Sequence, residues 1–230
     1  MSIHEGHRQR LKQLFLDGGL DNFYENQALE LLLYYSISRK DTNPIAHALL
    51  DKFGTLSQVL EAPVEELMRV EGVGEHTATF LHLVTEIGRY YLVNRSKQTK
   101  ILPTIEDCAQ YLVPRFYGRR NENAFLLCLD GKCKVLCCRD LGEGNVNSAA
   151  ISTRKIMETA LTVNATSVVL AHNHPSGIAI PSTEDVLTTR RIAMALSAVD
   201  ISLLDHIVVA DDDYVSMVQS GHRFDDCVTI

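Results

Sequence analysis

Residues 171–185 read Ala171-His172-Asn173-His174-Pro175-Ser176-Gly177-Ile178-Ala179-Ile180-Pro181-Ser182-Thr183-Glu184-Asp185. The order is His-x-His, seven residues, then Ser-x-x-Asp. Two imidazoles and one carboxylate form the ligand set of a hydrolytic zinc site that keeps a coordination position for water. Four fixed residue types, each at about 5% usage, meet at a given start roughly once in 10^5 positions. Chance is therefore a poor account of them in a chain of 230 residues. On an extended segment, residues two apart face the same way, so His172 and His174 can address one ion. Asp185 lies one turn inside the next helix and comes back towards them. Ser182 and Asp185 also fit a capping box, although Glu or Gln is the usual partner, and Ser182 can serve both purposes.

The flanks set this motif in a mixed α/β pattern. Ser167 to Ala171 reads as a buried strand that delivers His172 at its end, and Ser182 opens a helix through Ile192 and Leu196. Upstream, Ala124 to Leu129 and Cys133 to Cys138 read as a hairpin around Asp130-Gly131. Thr104 to Leu112 and Ser152 to Val163 read as helices. Ile207 to Ala210 and Tyr214 to Met217 read as strands across an Asp-rich turn. A hydrolase of this kind needs a base for the proton of the attacking water. Glu122, Glu143, Glu158 and Glu184 are candidates, and sequence distance does not choose among them. Asp205-His206 opens a strand. A hydrogen-bonded structural histidine is the first reading there, and support of the site from behind is the second.

The first part of the chain is helical in pattern. Leu29, Leu32 and Leu33 recur at helical spacing, and Asp41-Thr42-Asn43-Pro44 is a helix start. Gly54 ends that helix, a short helix begins at Leu56, and Pro63 opens the next. Gly72-Val73-Gly74 turns the chain into a long helix through Phe80, Leu83, Ile87 and Tyr91. Residues 1–93 are read as one helical domain, 94–102 as a linker and 103–230 as a second domain. Gly72 and Gly74 can present backbone N–H groups to a DNA phosphate, or serve only as a tight packing turn.

Composition limits the partners. The net charge is −7, with −2 carried by residues 1–100 and −5 by residues 101–230. Broad electrostatic capture of nucleic acid is thereby excluded, and any DNA contact is local to the helical domain. The six cysteines contain no Cys-x-x-Cys pair, so reduced, buried thiols are expected rather than a zinc ribbon. Met1 to Arg10 is polar, without the apolar core of a signal peptide, and no apolar run reaches membrane length. A cytoplasmic protein with no membrane partner is expected. The letters His172-Asn173-His174 spell HNH, but the nuclease finger of that name needs its histidines well apart.

These residues carry a resemblance. His-x-His-x7-Ser-x-x-Asp is similar to the JAMM motif of the MPN/JAB metallopeptidases. The string from His172 to Gly177, with Pro181-Ser182, resembles the bacterial RadC branch. Phe125 to Asp130, Asn164-Ala165 and Leu204 to Val209 match it too. Leu67, Val70 and Gly72-Val73-Gly74 to Ala78 resemble the helix-hairpin-helix region that precedes this domain. The resemblance implies an N-terminal all-α helix-hairpin-helix domain and a C-terminal α/β (α+β) JAMM/MPN-like domain with a mixed sheet. It implies one zinc ion on His172, His174 and Asp185, and Glu122 as general base, then acid. It further implies Ser182 as a donor to the developing oxyanion. The activity implied is hydrolysis of a peptide or isopeptide-like amide bond in a protein or peptide. The alternative is a DNA-binding accessory protein of repair or recombination whose metal domain is not catalytic. One departure stands out: Thr153-Arg154-Lys155 occupies the place of the branch's usual Pro-Arg-Glu.

Overall fold

A computed structural model describes residues 3–38, 40–96, 101–143 and 153–224. The chain divides into two compact units, 1–88 and 89–230. Among the described residues, no helix is long and apolar enough to cross a membrane.

The first unit is built from helices: α1 (Ile3–Gly18), α2 (Glu25–Ser36), α3 (Asn43–Phe53), α4 (Leu56–Glu61), α5 (Val64–Leu67) and the first part of α6 (Glu75–Ser96). Leu29, Leu33, Ala46, Leu49, Val59, Leu67, Ala78 and Leu81 form its core. Local sequence explains the joints. Thr55 caps α4 by accepting the Gln58 N–H, and the Gln58 side chain accepts from the Thr55 N–H. Gly72 takes φ +89° in the turn before α6, and a Cβ there would stand 2.8 Å from Ile45 Cδ1. Only glycine fits both the backbone and the space. Of the expected linker, residues 94–96 continue α6, and residues 97–100 lie outside the described set. Ile101 bridges Lys134, and Leu102 is buried.

The second unit is a five-stranded mixed sheet between helices. Its elements are α7 (Ile105–Leu112), β1 (Asn123–Leu129), β2 (Val135–Glu143), α8 (Thr153–Thr162), β3 (Ser167–Asn173), α9 (Thr183–Ser197), β4 (Ser202–Ala210) and β5 (Asp213–Ser216). The strand order is β2-β1-β3-β4-β5; only β3 and β4 run parallel, joined through α9. β1 and β3 are buried at every residue, because both sheet faces are covered. On one face Ala124, Leu126, Leu170 and Val208 meet Ile156 and Ala160 of α8 and Ile192 and Leu196 of α9. On the other, Phe125, Leu127, Val169, Ala171 and Val209 meet Cys108, Ala109 and Leu112 of α7 with Phe116.

Two strand expectations change. β2 starts at Val135, not Cys133, and reaches Glu143. The Asp130 carboxylate accepts the N–H groups of Lys132 (2.8 Å) and Lys134 (2.9 Å), while Cys133 adopts φ 59°. That wraps the turn round one side chain and delays the ladder. β4 starts at Ser202, five residues before the expected Ile207, because a bulge breaks its alternation. Val168 pairs with Leu203, but Val169 pairs with Asp205, so Leu204 is the extra residue. Among the described cysteines none is bonded: Cys108 and Cys128 are buried, and Cys133, Cys137 and Cys138 are half-buried. Cys227 lies outside the described residues.

Candidate metal centre

His172 and His174 stand at and just beyond the end of β3, and Asp185 in the first turn of α9. The Nε2 atoms of the two imidazoles are 2.9 Å apart. Asp185 sets Oδ1 3.5 Å from His172 Nε2 and Oδ2 3.5 Å from His174 Nε2. Donors at zinc distances on a tetrahedral ion stand about 3.3 Å from one another. The observed separations lie near that value, but Asp185 meets each imidazole through a different oxygen, and the group among the described residues whose single donor atoms all lie within ion reach of one another is Glu122, His172 and His174.

The protons argue the same way. Thr189 Oγ1 donates to the Asp185 backbone carbonyl at 2.6 Å, and a carbonyl has no proton to return. The same oxygen lies 2.5 Å from His206 Nδ1, so there it accepts, and His206 carries its proton on Nδ1. Complete burial pushes His206 well below the ordinary histidine pKa, with the neighbouring His172 adding to the shift, so the ring is neutral. Its Nε2 is then a bare acceptor for His172 Nδ1 at 2.7 Å. His174 Nδ1 faces the Ile178 carbonyl at 3.1 Å, so it too must donate. Both rings therefore turn Nε2 towards each other and towards a carboxylate. Only a positive charge among them, a proton or a metal ion, makes that arrangement favourable.

Asp185 is 2% exposed and firmly held. Its Oδ2 accepts from Ser182 Oγ at 2.6 Å and from Ser182 N at 2.8 Å, and Ser182 Oγ accepts from Asp185 N at 3.1 Å. This is the capping box, with Asp in the Glu position. Burial raises the Asp185 carboxyl, but the His172 ring and the Ser182 hydroxyl outweigh it and hold the group well below the usual carboxylate range. The single Ser182 hydroxyl proton is committed to Asp185. A donor to an oxyanion would first have to leave that bond.

Glu122 immediately precedes β1. One of its carboxylate oxygens and one nitrogen of each of His172 and His174 all lie within 4.8 Å of one another. Two carboxylates thus flank the imidazole pair. They differ in restraint: Asp185 is buried and hydrogen-bonded, while Glu122 is half-exposed and bonds to no other described residue. Of the other glutamates weighed as a base, Glu143 accepts from Asn121 and Glu158 pairs with Arg154 on exposed surface. Neither they nor Glu184 joins the imidazoles in an ion-sized group among the described residues.

The domain from Leu102 onward matches a family model described as the RadC-like JAB domain, over residues 102–222. The chain belongs to that family. A UPF0758 protein of Fusobacterium nucleatum subsp. nucleatum is 32% identical over 225 residues, 95% of this chain and 97% of its own. A UPF0758 protein of Ruegeria pomeroyi is 33% identical over 216 residues, covering 94% and 96%. One of Nitrosococcus oceani is 34% identical over 219 residues, covering 95% and 96%. The JAB domain therefore carries the imidazoles, both carboxylates and Ser182 within the matched span.

Gly72 and Gly74 belong to the other unit, in the turn between α5 and α6. Gly74 has open space around it, and Arg69 near the turn pairs with Glu66 at 3.5 Å. Lys155, in the place of the branch's glutamate, donates to the Leu141 carbonyl at 2.8 Å and ties α8 to β2. Thr189 escaped sequence reading. Its one signal is its place four residues after Asp185, on the same face of α9.

Proposed function

We propose that the JAB domain is a zinc-dependent hydrolase that cleaves an amide bond of a peptide or isopeptide kind. The observation that supports the reading is the pair of imidazole Nε2 atoms 2.9 Å apart, flanked by the buried Asp185 carboxylate and by Glu122. His172, His174 and Asp185 would hold the ion. Bound there, zinc supplies a Lewis acid and an acidified water.

The side chains divide the remaining work. Asp185, fixed by Ser182, suits a permanent ligand. Glu122, near the imidazoles and free of other described partners, suits a base that moves. It takes the proton of the attacking water and returns it to the leaving amine. Ser182 principally orients Asp185; donation to an oxyanion requires its hydroxyl to turn. Burial differs across the site too. His172 is fully buried, while the His174 side chain is 16% exposed and Glu122 half-exposed, so substrate approaches from their side.

No observation at Gly72 and Gly74 favours contact with DNA: the nearby arginine is paired, and Glu71 and Glu75 flank the turn. The test has two parts. Metal analysis of the purified protein should give one zinc per chain, lost in His172→Ala. Incubation with a fluorophore–quencher peptide library should then show cleavage that Glu122→Gln abolishes. Equal, sub-stoichiometric zinc in wild type and His172→Ala would defeat the proposal.

A further inference from the structure

Behind the candidate ligands runs a closed line of hydrogen bonds. The Asp185 carbonyl accepts from Thr189 Oγ1 (2.6 Å), which accepts from His206 Nδ1 (2.5 Å), and His206 Nε2 accepts from His172 Nδ1 (2.7 Å). Its two ends are two of the proposed ligands. Thr189 and His206 are both fully buried, and His206 is not in the ion-sized group among the described residues.

The line has a direction because one end is a carbonyl. Every proton points towards the Asp185 backbone, and the last consequence falls on His172: its proton sits on Nδ1. The Nε2 lone pair is left facing His174 and Asp185. Reversal would turn the one Thr189 hydroxyl proton from the Asp185 carbonyl to His206 Nδ1 and give up the 2.6 Å bond to that carbonyl. An imidazole must be unprotonated at the nitrogen that binds a metal. The backbone of α9 thus sets the tautomer of a side chain on β3.

The fold spends an irregularity to make this line. With regular alternation from Leu203, which packs on the α8/α9 face, Asp205 would face that side and His206 the other. The bulge at Leu204 inverts the strand beyond it, so His206 joins Leu203 and Val208 on the face that His172 also occupies. Asp205 is sent to the opposite face, where it accepts from Ser216 Oγ and the Val218 N–H and locks the bulged strand to β5 and the segment after it.

We infer that Thr189 and His206 are positioning residues that hold His172 as the Nδ1–H tautomer, so that a buried Nε2 lone pair is ready for a divalent metal before the metal arrives. The inference rests on the metal reading above. Removing the Thr189 hydroxyl frees His206 to carry its proton on Nε2 and donate to His172 Nδ1. That drives the His172 proton to Nε2, where it competes with the metal.

The experiment compares Thr189→Val with Thr189→Ser, and His206→Phe with His206→Gln, whose amide can both donate to Thr189 and accept from His172. Zinc affinity is measured by chelator competition, and the His172 tautomer by long-range proton–nitrogen spectra of the metal-free protein. Thr189→Val and His206→Phe should bind zinc about 10–100-fold more weakly, the range for partners that orient a ligand. Thr189→Ser and His206→Gln should recover most of it. Thr189→Val should also raise the Nε2–H form of His172; a threonine that matters only for packing would shift melting and leave that tautomer alone. Thr189→Val is nearly isosteric, so it keeps the test open where His206→Phe fails to fold. Wild type and Thr189→Val binding zinc equally would overturn this inference alone. A wild type that binds no zinc would overturn the metal reading and this inference together.

Discussion

Replacing Ser182 with alanine removes two hydrogen bonds that meet on one hydroxyl. The first is the cap: Ser182 Oγ accepts the Asp185 N–H at 3.1 Å, and its loss costs about 1 kcal/mol. The second is the 2.6 Å bond from the hydroxyl to the ionised Asp185 Oδ2, of the charge-assisted kind, for which about 1.5–3 kcal/mol is typical. Asp185 keeps the Ser182 backbone N–H at 2.8 Å, so the carboxylate is not orphaned and the lower half of that range applies. The sum is about 2.5–3 kcal/mol. In a unit spanning residues 89–230 this lowers the melting temperature by roughly 5–10 °C. Calorimetry in chelator reads it without the metal. Because the folded pKa of Asp185 lies below its unfolded value, its stabilisation is present above the usual carboxylate range and is lost as pH falls through the folded value. The gap between wild type and Ser182→Ala should therefore hold steady from neutral pH down to about pH 5 and close only in stronger acid. A metal-free Ser182→Ala protein that melts with wild type would refute the claim that this hydroxyl holds the carboxylate.

Glu122→Gln should keep its zinc and lose at least about 100-fold in peptide cleavage, the usual worth of a general base; retained cleavage would move the base elsewhere. Gly72→Ala, with φ +89° and a Cβ 2.8 Å from Ile45 Cδ1, should destabilise the helical unit by about 1–3 kcal/mol in urea. Gly74→Ala meets nothing within 4 Å at an ordinary φ and should cost under about 1 kcal/mol. Tyr34→Phe deletes the 2.7 Å bond from the hydroxyl to buried Glu30 and should cost about 1.5–3 kcal/mol in the same assay. Burial pushes the Cys108 thiol up to about 12 and the Cys138 thiol up to about 11, so at pH 8 both should resist iodoacetamide until the protein unfolds.

What could be read from sequence was what is local. The spacing from His172 to Asp185 is short enough that strand and helix periodicity bring the donors to one place. The capping pattern at Ser182 was legible because it lies within four residues. Thr189 and His206 were not legible in the same way, since their roles depend on a 17-residue separation closed by the packing of α9 on β4. The bulge at Leu204 hid them further: alternation in Leu203-Leu204-Asp205-His206 gives no sign of which residue drops out of register. The hairpin was legible, but its pattern puts the start of β2 two residues early for a related reason. Asp130-Gly131 is a two-residue turn signal, but the Asp130 side chain recruits two further N–H groups and lengthens the turn. Spacing alone leaves Glu122 one of four glutamates, and the resemblance singles it out; in the fold β1 pairs with β3 so that Ala124 stands opposite His172, which sets the residue before the strand beside the imidazoles.

That antiparallel pairing also explains why the two carboxylates differ. Asp185 enters from α9, a helix whose Ile192 and Leu196 are packed on the sheet and whose N-terminus is clamped by its own cap. It moves only if the helix does. Glu122 enters from the chain just ahead of an interior strand, anchored by the bond from the Asn123 N–H to Asn173 Oδ1 at 2.8 Å, but with a side chain bonded to no other described residue. A ligand must hold its place while charge around it changes, and a base must cross the distance from water to leaving group. On the proposed reading, the first task falls to Asp185 on a capped helix and the second to Glu122 at a strand's free end. Asp185→Glu, which lengthens the clamped side chain, should keep the capping box, whose usual member is Glu, but move the carboxylate off its place beside the imidazoles and weaken zinc binding. Glu122→Asp, which shortens the free one, should leave zinc in place and slow only cleavage. Loss of zinc from Glu122→Asp and not from Asp185→Glu would reverse the assignment.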